Sequence, residues 1–176
     1  MYDYHSGLTE THGYASPWYA WPFAVRPVLY YVKYFASGMK GTISAFGNPA
    51  VWWICSILAI GFAVMLAKGK FKGKKGTFIV ILGICANFLP WLLVTRCTFA
   101  YHFFATVPFI IFAAVYVLKY FEDRNPKLAP IKWIWLCAAV VLFAMFYPAI
   151  SGVPASTEYI RFLMWLPGWT FLGANS

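Results

Sequence analysis

Charged residues are scarce in this chain of 176 residues, and their scarcity argues against most classes of soluble protein. Only 11% of the residues are Asp, Glu, Lys or Arg, and just five are acidic. An ordinary soluble domain has about 25% charged and about 45–50% apolar residues, whereas this chain is 62% hydrophobic and 22% aromatic. Disordered chains are poor in aromatic residues, so disorder is excluded as well. The composition therefore predicts a membrane protein.

The usual signatures of metal, cofactor and acid–base chemistry are also lacking. The four cysteines, at positions 55, 85, 97 and 137, form no CxxC pair, so neither a zinc site nor a disulfide framework is expected. No motif indicates a cofactor or a nucleic-acid partner. The acidic residues outside the most basic connections are Asp3, Glu10 and Glu158, and none stands in a recognisable motif. We therefore predict no catalytic residue, no metal and no cofactor in this chain.

Four apolar stretches, each about as long as a bilayer crossing, follow one another along the sequence. A crossing takes about 20 residues, and the stretches lie at residues 48–67, 77–95, 99–118 and 131–150. This pattern predicts an all-α integral membrane domain with four transmembrane helices over residues 48–150. An aromatic-rich outer segment, residues 1–47, precedes the domain, and an outer tail, residues 151–176, follows it.

Basic residues concentrate in two of the connections and predict the orientation. The connection 68–75 carries five lysines and no acidic residue, and the connection 119–132 carries four basic residues against two acidic ones. Such connections face the cytoplasm, so both termini are expected outside. The lysines of 68–75 are either a topology anchor or a specific site for an anionic lipid, and both readings stay open.

With that orientation, the unusual aromatic residues gather at the outer face. Trp18 and Trp21 lie in a stretch with three prolines, which forbid a continuous helix. They form either an interfacial aromatic belt or the wall of a site for a lipid head or sugar. Arg26 has the planar guanidinium that suits a phosphate. The stretch after Pro27 is rich in residues that favour strands, and a small β-hairpin is predicted there.

Polar residues at the outer ends of the second and third stretches are the other candidates for a site. Asn87 lies within an apolar run and needs a partner, which predicts either a hydrogen bond between helices or a role in the site. Pro90 is expected to kink the helix. Arg96 either reaches to the interface or binds an anionic headgroup. His102, six residues further on, is either a structural hydrogen-bonding residue or a phosphate contact.

The order of these motifs resembles a known family. The motifs are His-Gly-Tyr-Ala-Ser-Pro-Trp-Tyr-Ala-Trp-Pro at 12–22 with Arg-Pro at 26–27, Gly-Asn-Pro-Ala-Val-Trp-Trp at 47–53, Asn-Phe-Leu-Pro-Trp at 87–91, and Arg96 followed by Phe-Ala-Tyr-His-Phe-Phe at 99–104. Together they resemble the C-terminal four-transmembrane domain of the protein O-mannosyltransferases, which are GT-C glycosyltransferases. The opening residues 1–8 look most like the bacterial members.

The resemblance implies a function for the outer face. Such enzymes transfer mannose from a polyprenyl-phosphate donor to Ser or Thr of a secreted acceptor protein, on the outer side of the bacterial plasma membrane or the lumenal side of the endoplasmic reticulum membrane. Arg96, His102 and Arg26 occupy the matching motifs and are expected to bind the donor phosphate. Their neighbours in these motifs complete the expected binding site: Tyr101, Trp18, Trp21 and Asn87.

The resemblance also implies what this chain does not supply. The family's catalytic carboxylate lies in an N-terminal half, which is expected to be a separate part or a separate chain. The expected partners are thus membrane lipid, the donor, the acceptor and that half. One alternative stays open, namely a small non-catalytic four-span accessory or flippase-like protein for polyprenyl-linked sugars. The aromatic outer segment of about 48 residues argues against it, because such proteins usually have short loops.

Overall fold

The first described part of the chain is a short 3-10 helix followed by a hairpin. The computed structural model describes residues 12–35 and 38–173, so the expected outer segment 1–47 is seen in part and both termini lie outside these ranges. The 3-10 helix runs over Trp18–Phe23 and contains Pro22. Because proline cannot continue an α-helix, this tight turn is the most regular structure that the Pro-rich stretch forms.

The predicted hairpin is confirmed and belongs to a slightly larger sheet. Strand β1 is Val28–Tyr34 and strand β2 is Met39–Ala45. They pair antiparallel, with a register shift between Leu29 and Tyr31. A two-residue strand, β3, Ala155–Ser156, adds to β2 from the far end of the chain. The sequence does not predict β3, because two residues carry no periodicity.

Five α-helices account for most of the remaining described chain. Their bounds are α1 Pro49–Ala67, α2 Thr77–Phe88, α3 Val107–Arg124, α4 Pro130–Ser151 and α5 Thr157–Phe162. Helix α1 begins where the sequence signals it, because the Asn48 side chain accepts a hydrogen bond from the Ala50 N–H at 3.0 Å and Pro49 has no N–H to leave unpaired.

The structure confirms a mostly helical chain with a small sheet, but it does not confirm four membrane spans. Within the described residues, two helical segments are long and apolar enough to cross a bilayer, Pro49–Ala67 and Pro126–Ser151. A third apolar segment, Thr77–Leu93, is shorter. Its α-helical part ends at Phe88 and continues as a 3-10 helix, Leu89–Leu93. Pro90 explains this change, since proline removes a backbone donor from the helical ladder.

The third predicted stretch, 99–118, differs most from the helix that forms. A 3-10 helix, Ala100–Ala105, comes first, and α3 begins only at Val107, with Pro108 in its first turn. The helix then continues past the apolar run to Arg124. A charged sequence remains helical there, supported by the Lys119–Asp123 ion pair one turn apart, at 2.5 Å. The end of an apolar run is therefore not the end of the helix.

Close helix contacts depend on one glycine and two side-chain hydrogen bonds. A Cβ at Gly83 would lie 2.2 Å from the Phe109 ring, so glycine is needed where α2 meets α3. The Asn48 amide donates to the Ala139 carbonyl, and the Trp135 indole donates to the Ala50 carbonyl, each at 2.7 Å. The start of α1 thus contacts the first half of α4.

Three tryptophans satisfy the backbone of the Pro-rich segment. The indole N–H groups of Trp52, Trp53 and Trp169 donate to the carbonyls of Trp21, Phe23 and Ala24, at 2.6, 2.7 and 2.7 Å. We call these three residues the tryptophan clamp. Buried carbonyls need a partner, and an indole supplies one together with a large apolar surface. The clamp therefore holds the 3-10 helix Trp18–Phe23 and the following Ala24 against α1 and the tail.

Candidate functional site

The centre of the candidate site is a stack of Trp91 on His102. The two ring centroids are 4.1 Å apart and the rings are inclined by 28°. Trp91 comes from the 3-10 helix after α2, and His102 comes from the 3-10 helix before α3. The Trp91 indole donates to the Asn87 carbonyl at 3.0 Å, which fixes the ring that the imidazole meets. The change from α-helix to 3-10 helix at Pro90 thus positions the Trp91 ring against His102.

Two further rings enclose the imidazole. Trp21 is fully buried, with its centroid 5.4 Å from Trp91 and 5.7 Å from His102. Its indole donates to both the carbonyl and the hydroxyl of Ser16, at 3.0 and 3.1 Å. The ring centroid of Tyr101 lies 4.5 Å from that of His102. We call Trp21, Trp91, Tyr101 and His102 the aromatic cluster. It brings the 3-10 helix Trp18–Phe23 together with the two 3-10 helices that lie between α2 and α3.

Arg96 and His102 are linked electrostatically. Partial burial, and secondarily the nearby positive charge of Arg96, lower the pKa of His102 below its ordinary value of 6.5. A neutral imidazole has one N–H donor and one acceptor nitrogen, whereas the exposed Arg96 keeps its charge. An anion bound beside both would favour a protonated imidazole. The pair is therefore suited to an anionic group at the protein surface.

Two residues of this region are missed by the sequence prediction. Trp91 lies in the motif Asn-Phe-Leu-Pro-Trp at 87–91. Its position directly after Pro90, where the helix was expected to kink, was the signal that could have identified it. Tyr30 comes from β1, and its ring centroid lies 6.4 Å from that of Tyr101. Burial and the neighbouring Tyr101 raise the pKa of Tyr30. No local signal in the sequence places a strand residue beside the 3-10 helix that carries His102.

Three predicted site residues have partners outside the aromatic cluster. The Arg26 guanidinium donates to the Ala15 carbonyl at 3.3 Å, so it closes the loop around the 3-10 helix Trp18–Phe23. The Trp18 ring packs edge-on against Phe88 at 5.5 Å. The Asn87 amide donates to the Gly83 carbonyl at 2.8 Å. The Asn87 amide thus has an acceptor in its own helix, one turn earlier, rather than in another helix.

Metal ligands are not grouped in the described chain. Across residues 12–35 and 38–173, no three His, Cys, Asp or Glu side chains lie close enough to hold a metal ion. The chemistry available at the aromatic cluster and the neighbouring Arg96 is that of an imidazole, a phenol, indole rings and a guanidinium.

The architecture is similar to part of a protein of known structure. The structure of the Saccharomyces cerevisiae protein O-mannosyltransferase Pmt1–Pmt2 complex bound to the sugar donor matches 96% of this chain and 25% of that chain, with a TM-score of 0.73. At 23% sequence identity, this likeness shows the fold. The described helices and sheet therefore share the fold of part of that chain.

The family follows from the sequence as a whole. Residues 1–169 match the family described as the C-terminal four TMM region of protein-O-mannosyltransferase. The chain belongs to this family. The accessory-protein alternative is thereby set aside.

Curated relatives agree with this assignment. The polyprenol-phosphate-mannose–protein mannosyltransferase of Mycolicibacterium smegmatis is 31% identical over 188 residues, covering 96% of this chain and 36% of the relative. The enzyme of the same name from Mycobacterium tuberculosis is 28% identical, covering 96% and 35%. Dolichyl-phosphate-mannose–protein mannosyltransferase 1 of S. cerevisiae is 24% identical, covering 97% and 23%. The chain thus spans about a third of the length of the bacterial relatives.

Proposed function

We propose that this chain binds the polyprenyl-phosphate-mannose donor of a protein O-mannosyltransferase, which transfers mannose to Ser or Thr of secreted proteins. The observation that supports this proposal is the position of His102, stacked on Trp91 and within the electrostatic reach of Arg96. A cation and an imidazole at one surface suit a phosphate, and the relatives are named for polyprenol-phosphate-mannose.

Arg96 and His102 act on the phosphate of the donor. When the bond between mannosyl C1 and the phosphate oxygen breaks, that oxygen gains negative charge, and the acceptor hydroxyl oxygen forms the new bond to C1. A fixed guanidinium stabilises this charge most in the transition state. An N–H of His102 donates to a second phosphate oxygen. Bound phosphate raises the pKa of His102, so the imidazole can also take up a proton.

The remaining predicted residues position this pair. Tyr101 and Trp21 pack against the imidazole and keep its ring in one orientation. The backbone carbonyl of Asn87 accepts a hydrogen bond from the Trp91 indole N–H, which positions the ring that stacks on His102. Arg26 and Trp18 hold the loop and the 3-10 helix from which Trp21 projects. In this proposal they act on donor binding through the aromatic cluster.

The base that accepts the proton of the acceptor hydroxyl comes from another part of the enzyme. Of the five acidic residues, Glu122 and Asp123 lie in the last turn of α3, at the opposite end from His102. Glu158 is exposed in the short helix α5, and Asp3 and Glu10 lie outside the described residues. We therefore assign the base to an N-terminal half that completes the site, with mannose transfer on the outer side of the plasma membrane and both termini of this chain outside.

The donor-binding role is tested by titrating the purified chain in detergent with polyprenyl-phosphate-mannose. Losing a charged hydrogen bond costs about 1.5–3 kcal/mol, so Arg96→Gln should weaken the Kd about ten- to hundredfold. Arg96→Lys should retain part of the affinity, since it keeps the charge but not the planar fork. Arg161→Gln is the matched control, because it removes an exposed charge of α5. Equal affinity of Arg96→Gln and Arg161→Gln would refute the proposed role.

The orientation is tested separately by labelling. In a variant without the four native cysteines, Tyr19→Cys should react with a membrane-impermeant maleimide added to intact cells. Lys72→Cys should react only after the cells are opened. The reverse pattern would place the aromatic cluster on the cytoplasmic side.

A further inference from the structure

The connection between α1 and α2 is an ordered turn that packs against the helices, although it is rich in lysine. Phe71, at its centre, is 3% exposed and packs on Phe62, Tyr116 and Tyr120, with ring centroids 5.2, 5.9 and 5.6 Å away. The Tyr116 hydroxyl donates to the Lys75 carbonyl. The turn therefore has a buried aromatic anchor, and the lysines on either side of Phe71 project from a fixed backbone.

This turn and the end of α3 enclose a cationic cavity. The cavity has a volume of about 220 Å³ and is lined by four cations, Lys70, Lys74, Lys119 and Arg124, and by one carboxylate, Asp123. Its remaining wall is aromatic, formed by Phe71, Tyr116 and Tyr120. A water molecule takes about 30 Å³ in the liquid, so the space accommodates a group several times larger. Its charge and size suit an anion.

Lys119 is paired within the cavity, and three cations remain for a ligand, namely Lys70, Lys74 and Arg124. The Arg124 guanidinium lies 3.4 Å from the centroid of the Tyr120 ring and donates to the Tyr120 carbonyl at 3.2 Å. Lys119 pairs with Asp123. The only other salt bridge within the described ranges joins Lys132 and Glu122, so Lys70 and Lys74 take part in neither. Stacking on an aromatic ring leaves the edge of a guanidinium open to a phosphate.

We propose that this cavity binds the phosphate of an anionic membrane lipid, such as phosphatidylglycerol. Helix α1, which can cross a bilayer, ends at Ala67, next to the turn, so the cavity lies at the level of the lipid headgroups. Lys74 and Arg124 bind the phosphate, and the aromatic wall contacts the glycerol and the first part of the acyl chains. The site is at the opposite end of α3 from His102, and the proposal does not depend on donor binding.

The test measures binding of phosphatidylglycerol with a fluorescent acyl chain to the full chain in detergent micelles. Phosphatidylcholine carrying the same label is the reference lipid, and it should bind more weakly. The double variant Lys74→Gln/Arg124→Gln should weaken phosphatidylglycerol binding about tenfold. The matched control Lys68→Gln/Lys127→Gln removes the same charge from the same end of the molecule, outside the cavity, and should change binding less than about twofold. Equal losses in the two variants, or no preference between the lipids, would overturn the proposal.

A gain-of-binding variant guards against a simple folding defect. Asp123→Asn removes the one carboxylate of the cavity and should tighten phosphatidylglycerol binding by about two- to fivefold, in line with the strength of exposed charge pairs. Unchanged or weaker binding would contradict the proposal.

Inorganic phosphate serves as the soluble competitor. A lipid site should retain phosphatidylglycerol in a large excess of inorganic phosphate, because the acyl chains add to its binding. Complete displacement by phosphate would identify a site for a soluble anion and overturn the lipid assignment.

Discussion

The two ends of the helices use different interactions. At the aromatic end, where α1 and α3 begin and α2 gives way to a 3-10 helix, indole N–H groups meet backbone carbonyls and rings pack on rings. At the basic end, residues 68–76 and 119–132, most cations are exposed. Topology requires only that positive charge lie on the correct side, whereas each indole must meet one particular carbonyl. Most individual residues should therefore matter more at the aromatic end.

The largest expected effect is at Trp52. Trp52→Ala removes a ring that is 4% exposed and whose centroid lies 5.4 Å from that of Phe103, and it removes the indole hydrogen bond to the Trp21 carbonyl, which still accepts from the Ala24 N–H. It should lower the free energy of unfolding by about 3–5 kcal/mol. Lys72→Ala, an exposed position at the basic end, should change it by less than about 0.5 kcal/mol. Denaturation with SDS in mixed micelles, followed by circular dichroism, measures both. Similar losses would remove the contrast between the two ends.

A smaller effect is expected at Trp169, where a substitution can remove the hydrogen bond and keep an aromatic ring. Trp169→Phe keeps an aromatic side chain but leaves the Ala24 carbonyl without its indole donor. A buried unpaired carbonyl costs about 1–3 kcal/mol, which the same unfolding assay should detect. Trp165→Phe is the control, because that ring stacks on Trp169 and is 41% exposed. If the two variants have the same free energy of unfolding, packing rather than hydrogen bonding stabilises the tryptophan clamp.

A pH-dependent effect is expected at His102. Its lowered folded pKa means that the unfolded chain binds the proton first as the pH falls. The contribution of His102 to stability is therefore complete above pH 6.5 and declines as the pH falls towards the folded pKa.

Arg96→Gln should raise the pKa of His102 but leave it below 6.5, because burial is the larger cause of the shift. Titration of ¹⁵N-labelled histidine by NMR measures this, and Arg161→Gln should leave the value unchanged. If the pKa of His102 is unchanged in Arg96→Gln, the charge of Arg96 does not act on His102.

The smallest effect is expected at the basic end. Glu122→Gln breaks the 2.8 Å pair with Lys132, whose side chain is 43% exposed. Solvent screening limits such a pair to about 0.5 kcal/mol, and high salt should remove the difference from the native chain. A loss comparable to that in Trp169→Phe would show that an ion pair at this end is as specific as an indole contact.

Local signals in the sequence predicted the local structure. The Val-Leu-Tyr-Tyr-Val stretch followed by Gly38 and Gly41 predicted the hairpin, because strand propensity and turn residues act over short distances. The start of α1 followed from Asn48 and Pro49. The apolar stretches predicted helices in the right order, but not the extent of α3, since helix formation does not require apolar residues throughout.

Contacts between distant segments were not predictable in the same way. For Asn87 the sequence left open a hydrogen bond to another helix or a role in the site, and the structure shows an acceptor for its amide one turn away in its own helix. The stack of Trp91 on His102 depends on how two 3-10 helices turn, and no pattern in one sequence encodes that. The roles of Arg96 and His102 as phosphate ligands stay predictions, to be decided by donor binding.

The contact between α1 and α4 has a mechanical consequence. The start of α1 is bonded to Trp135 and Ala139 in the first half of α4, so the two helices that can cross a bilayer meet at a crossing point rather than along their full length. A thicker or thinner bilayer changes helix tilt, and α4 would swing about that point. Its far end is bonded to the sheet through Thr42. A change in the tilt of α4 would therefore act on the sheet through the hydrogen bonds of Thr42.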